Sequence, residues 1–145
     1  MRVDFYQLAH DPVEQVLPAI AQKLLDDGQR LLVVDERETM RALLSRALWE
    51  WKPDSFLAHG VSGQDDDAVH PILLSDHTEA VNQARNIALT DGQWREDALS
   101  FDRTFYFFDE STIAAARDCW RALKGRDDVL PHFWRQEGRK WVQGP

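Results

Sequence analysis

Arg30-Leu-Leu-Val-Val34, followed by Asp35-Glu-Arg-Glu-Thr39 and then by Met40, Leu43, Leu44, Ala47 and Leu48, is the stretch on which the fold turns. Its first part is short and almost wholly apolar, the pattern of a strand covered on both faces of a parallel sheet rather than on one. The spacing of its second part predicts an amphipathic helix running to about Trp51. The same alternation precedes it. Val3 to Leu8 sets Val, Phe and Gln against Asp, Tyr and Leu and reads as an opening strand, which His10-Asp11-Pro12 stops. Asp11 is expected to cap the next helix with Pro12 at its first position, and Val13, Val16, Leu17, Ile20 and Leu24 supply its apolar stripe to about Asp27, with Gly28 ending it. Pro18 should kink that helix or mark its true start, because it lacks the amide donor. Strand, helix, strand, helix opens an α/β fold with right-handed crossovers.

Beyond Trp51, Pro53-Asp54 breaks the helix, and Ser55-Phe-Leu-Ala-His59 is expected as a third strand closed by Gly60. Gln64 to Ala68 is a solvated loop. Pro71 to Leu74 and Arg85 to Leu89 read as strands with a weakly patterned helical turn between them, and Thr90 to Ser100 as polar loop. Arg103-Thr-Phe-Tyr-Phe-Phe108, with four consecutive aromatics, is the clearest strand of all. Asp109-Glu-Ser111 then offers a cap and favourable first-turn charge to a last helix over residues 114–124. After Gly125, Val129 to Gln136 and Arg139 to Val142 form a final strand and hairpin around Glu137-Gly138. The fold class is α/β: residues 1–145 are expected to form a single domain with a mostly parallel central sheet flanked by helices.

Composition narrows the function. The 145 residues are 43% hydrophobic and 29% charged, with a formal net charge of −8, which fits one domain with a sizeable core and argues against a surface built for duplex DNA. One cysteine leaves no internal disulfide, and no run of signal-peptide or membrane-span length is present, so a cytoplasmic protein without membrane contact is expected. Charge is uneven, however. Residues 117–141 hold seven Lys/Arg against four Asp/Glu, leaving ten against twenty-one elsewhere.

That asymmetry centres on the last helix. At about 100° per residue, Arg117, Trp120, Arg121 and Lys124 share one arc roughly 100° wide. Ala115, Ala116, Cys119, Ala122 and Leu123 form the opposite side, which is expected to lie on the sheet with Cys119 buried and inert, while the three cations and the indole look outward. Taken alone, such a stripe is most simply a solvated helix face with one stray Trp. As a site, it suits a short anionic ligand with an apolar part.

Several segments together resemble the chi subunit of bacterial DNA polymerase III holoenzyme. They are Val3-Asp-Phe-Tyr-Gln-Leu8, Leu48-Trp49, Ser55-Phe56-Leu-Ala-His59, the aromatic strand into Asp109, Ala116-Arg117-Asp-Cys-Trp120-Arg121, and Phe133-Trp-Arg-Gln136 with Gly138 and Trp141. The resemblance implies a Rossmann-like domain without catalytic activity or cofactor, a monomer on its own, acting as an adaptor. One surface would pair with the psi subunit of the clamp loader. Another would capture the C-terminal tail of single-stranded DNA-binding protein, a few aspartates followed by Pro-Phe and a free carboxylate, so that contact with DNA is indirect. The tail-binding positions carry over to Arg117, Trp120, Arg121 and Lys124, with Trp standing for a Tyr and Arg121 for a Lys. The psi-binding positions carry over to Trp49 and Phe56, with Trp51 a further aromatic nearby. From the residues alone, Trp49 and Phe56 are more simply core.

The rival from another class is a nucleotide- or phosphate-binding enzyme on the same fold. The turns Ala9-His-Asp-Pro-Val13 and Asp35-Glu-Arg-Glu-Thr39 carry no glycine-rich phosphate loop, and Asp35 and Glu36 would repel phosphate there. A further alternative is a helicase partner for the aromatic surface. His59, His70, Asp76 and His77 match no metal-binding spacing, so no metal site is expected. Ser55 and His59 lie too far apart along an extended strand to share a proton.

Overall fold

The computed structural model describes residues 1–52, 57–64, 66–138 and 140–144. In chain order its elements are β1 (Arg2–Gln7), α1 (Val13–Asp26), β2 (Leu31–Val34), α2 (Glu38–Trp49), β3 (His59–Val61), β4 (Ile72–Ser75), β5 (Asn86–Leu89), β6 (Arg103–Phe108), α3 (Ile113–Lys124), β7 (Leu130–Glu137) and β8 (Lys140–Gln143), with short 3-10 turns at Asp67–Val69 and Glu96–Ser100. The strands form one sheet in the order β3-β4-β2-β5-β6-β1-β7-β8. All neighbours run parallel except β7 and β8, which form an antiparallel hairpin. This is the mostly parallel α/β architecture that the alternation of apolar runs and amphipathic stripes predicts.

Helices cover both faces, so consecutive strand residues enter different cores. Leu31, Val33, Phe105 and Phe107 pack under α1 and α2 with Leu17, Leu44 and Leu48. Leu32, Val34, Tyr106 and Phe108 pack on the other face, where α3 contributes Ala116, Cys119 and Leu123. The four-aromatic run of β6 therefore divides two and two between the layers. No helix among the described residues is long and apolar enough to cross a membrane.

The structure corrects several local expectations. α1 runs unbroken through Pro18, so its start is Val13; Pro12 occupies the N-cap position, and no side chain caps the helix. The Asp11 carboxylate instead accepts from Gln136 Nε2 at 2.7 Å, while Gln136 Oε1 accepts from the His10 and Asp11 amides. The clamp across the sheet replaces the cap. α2 ends at Trp49, two residues early. The third strand is displaced to His59–Val61, and Gly60 lies within it rather than closing it. A side chain at Gly60 would collide with the His70 ring, which explains a glycine inside a strand. Residues 55–56 of the stretch expected as that strand lie outside the described residues. Residues 76–85 contain no helix.

Candidate functional site

Asp109 organises the entry to α3. Its Oδ1 accepts from the Ser111 amide at 2.9 Å and the Ser111 hydroxyl at 2.6 Å, and these bonds hold its carboxyl below the usual carboxylate range. α3 then beds on the sheet through a narrow seam of Ala116, Cys119 and Leu123. Ala115 and Ala122, expected in that seam, are exposed. The Cys119 thiol is pushed up to about 12 by loss of solvent, which leaves it unreactive at neutral pH.

Arg117, Arg121 and Lys124 face solvent, as their spacing predicts, but Trp120 does not stand out with them. It is half-buried. Its ring lies 5.2 Å from Phe5 and 5.8 Å from Phe133, edge-to-face with both at 79° and 88°. A helical side chain leans back toward the preceding turn, and here that direction carries the indole over β1 and β7, where two rings receive it. The result is a groove of about 360 Å³ between α3 and β7, with Trp120, Phe133 and Phe108 as its apolar surface and Arg117, Arg121 and Gln7 on its walls.

Arg117 has no ion-pair partner among the described residues. Arg121 stands 3.5 Å from Asp118, both of them exposed. Such a pair is worth less than about 1 kcal/mol and yields readily to a better carboxylate. Lys124 lies on the last turn and is not part of the groove wall. Two guanidinium forks beside an aromatic floor can hold one or two carboxylates and an apolar ring at once. Phe133 and Phe108 are wall residues that helix periodicity could not reveal, because they come from strands. Trp94 packs on Tyr106 and Arg103 lies on the opposite face of the sheet, so neither borders this groove.

The second predicted surface is only partly visible. Trp49 closes α2 with 48% of its surface exposed, and its ring sits 4.5 Å from the His59 ring. Phe56 lies outside the described residues. Trp51 is half-buried against the α1 and α2 core and does not share the exposure of Trp49.

The crevice at the carboxyl ends of the strands, about 370 Å³, is where nucleotide enzymes of this architecture place phosphate. Here its walls carry Asp11, Glu14, Asp91 and Asp109. The Arg37 guanidinium is tied to Asp35 at 2.8 Å, and the His10 and Asp11 amides ahead of α1 are taken by Gln136. A phosphate entering there would face the carboxylates of these walls. Around His59, Nδ1 donates to the Leu57 carbonyl and Nε2 accepts from the Ser45 hydroxyl, each at 2.8 Å. Among the described residues, no group of three or more His, Cys, Asp or Glu side chains is placed to hold a metal ion.

A family model described as DNA polymerase III chi subunit, HolC, matches residues 1–130. The search of the curated proteins returned no match. The chain belongs to the DNA polymerase III chi subunit family.

Proposed function

We propose that this chi-family chain is a non-catalytic adaptor of the replicative polymerase, working in the cytoplasm. It joins single-stranded DNA-binding protein to the clamp loader without gripping DNA itself. The observation that carries the reading is the groove between α3 and β7. Arg117 and Arg121 flank the Trp120 and Phe133 rings, and the tail described above presents the complementary groups, aspartates, a phenylalanine and a terminal carboxylate. Lys124 adds charge at the rim. Trp49 and Phe56 are assigned to psi, with exposure of the Trp49 ring as the support. The mechanism is tethering: two modest sites on one rigid body raise the effective concentration of each partner at the other. The acidic body, with a net charge of −8, favours indirect contact with DNA.

The test is a titration at low salt with a labelled peptide of three aspartates followed by Pro-Phe and a free carboxylate. Replacing Arg117 by Ala is expected to weaken binding at this groove by about 1–3 kcal/mol, the scale of a charge-assisted contact. Unchanged affinity at this groove would remove the assignment. The rival, a nucleotide or phosphate enzyme, predicts thermal stabilisation by ATP and none by the peptide. The acidic walls of the strand-end crevice weigh against it.

A further inference from the structure

On the face of the sheet away from α3, a second cavity of about 400 Å³ opens between α1 and the β1, β6, β7 and β8 strands. Its cations are Arg2, Lys23 and Arg103, and its rings are Tyr6, Trp134 and Trp141. One buried group arranges most of them. Asp4, with no exposed surface, accepts at Oδ1 from Arg2 Nε (3.1 Å), Arg2 Nη2 (3.0 Å) and Trp134 Nε1 (2.9 Å), and at Oδ2 from Arg103 Nε (2.7 Å). Arg103 also lies 4.3 Å over the Phe105 ring. Two guanidiniums share one carboxylate, so the trio keeps a net positive charge. Lys23, exposed on α1 and without an ion pair among the described residues, adds another. Among the described residues, the cavity walls carry no carboxylate.

The rings form a corner. Trp134 lies nearly parallel to Tyr6, 14° at 6.3 Å, whereas Trp141 stands at 90° to Tyr6 at 5.1 Å. Both indoles are half-buried, and the Trp134 N–H is already satisfied by Asp4. A planar side chain entering such a corner meets one indole face-on and the other edge-on, the two geometries that aromatic pairs prefer. Trp134 and Trp141 lie beyond the residues 1–130 that the family model matches.

We infer that this cavity is a second receptor for an acidic, aromatic-bearing segment of a partner protein, on the opposite face of the sheet from the α3 groove. Charge complementarity selects the carboxylates: a positive recess on a body of −8 attracts an acidic segment locally. The two-sided corner selects an aromatic side chain. A single-stranded nucleic acid fits less well, since its backbone needs cations spaced along a track and these are gathered in one recess. Only the choice of probe rests on the proposed function.

The experiment is calorimetric titration of the intact protein with the peptide of three aspartates, Pro, Phe and free carboxylate, with oligothymidylate as the comparison ligand. The wild type is expected to take up two equivalents of peptide. The Arg117→Ala/Arg121→Ala variant should retain one, and adding Lys23→Glu should weaken that remaining site by about tenfold. Trp141→Ala should remove it, leaving the α3 groove intact. Lys23 is an exposed helix residue, so its substitution reads charge without disturbing the fold. Loss of all peptide binding in the Arg117→Ala/Arg121→Ala variant would overturn the second receptor and leave the first standing. Residual binding indifferent to Lys23→Glu and Trp141→Ala would also overturn it, as would oligothymidylate displacing the peptide from this cavity. Absence of binding at the α3 groove, with the second site retained, would instead count against the proposed tail site alone.

Discussion

The Trp134 indole N–H donates to Asp4 Oδ1 at 2.9 Å, joining residues 130 positions apart. The same carboxylate takes Arg2 and Arg103, so one buried side chain binds β1, β6 and β7 together from within. Replacing Asp4 by Ala is expected to destabilise the fold by about 2–3 kcal/mol. That is somewhat below the loss usual for a fully buried pair, because both arginines are part-exposed and can recover water. Urea denaturation checks this, and an unshifted midpoint would show that the hub contributes nothing.

Trp49 and Trp51 should separate in behaviour despite their closeness in sequence. Trp49 is half open to solvent, so Trp49→Ala is expected to cost no more than about 1 kcal/mol of stability. Trp51 packs on the α1 and α2 core, and Trp51→Ala should cost about 2 kcal/mol or more. A pulldown with psi should lose the partner with the folded Trp49→Ala protein. Retention of psi would return Trp49 to the ordinary surface.

His59 gives the molecule a mild acid sensitivity. Burial lowers its pKa from the usual 6.5, the His70 ring adds to the effect, and the bond to the Leu57 carbonyl opposes it without prevailing. The unfolded chain therefore takes up a proton at pH values where the folded chain refuses one. The stabilisation is complete above about 6.5 and is lost progressively as pH falls from there through the lower folded value. Melting temperatures measured between pH 7.5 and 5.5 should fall more for the wild type than for His59→Gln. Parallel curves would assign the sensitivity elsewhere.

Much of the scaffold was legible because local pattern and tertiary role coincide. Leu31 to Val34 lies between two other strands under helices on both faces, so it has no polar side to display. Arg117, Arg121 and Lys124 are exposed as their spacing implies, since α3 covers the sheet on one seam only. The Trp120 ring was not legible. Its position depends on Phe5 and Phe133, more than a hundred residues apart and brought together by β1 pairing with β7. Asp4 escaped for a similar reason: alternation in β1 does not reveal that both its sides are interior, nor that two arginines and an indole converge on one carboxylate. Gly60 has the look of a strand terminator in sequence, yet it lies inside β3, where the ring of His70 is what requires a glycine.

β7 carries Phe133 into one cavity and Trp134 into the other, and it is hydrogen-bonded to β1 on one edge and to β8 on the other. A strand held along both edges cannot slide or roll to accommodate a guest. On the two proposals, a guest on one face would therefore shift nothing under the other, and the coupling left between them would be the mutual repulsion of two acidic segments. The protein would serve as a passive double-sided clip, its composite grip set by how many tails are on offer and not by any signal passed through the sheet.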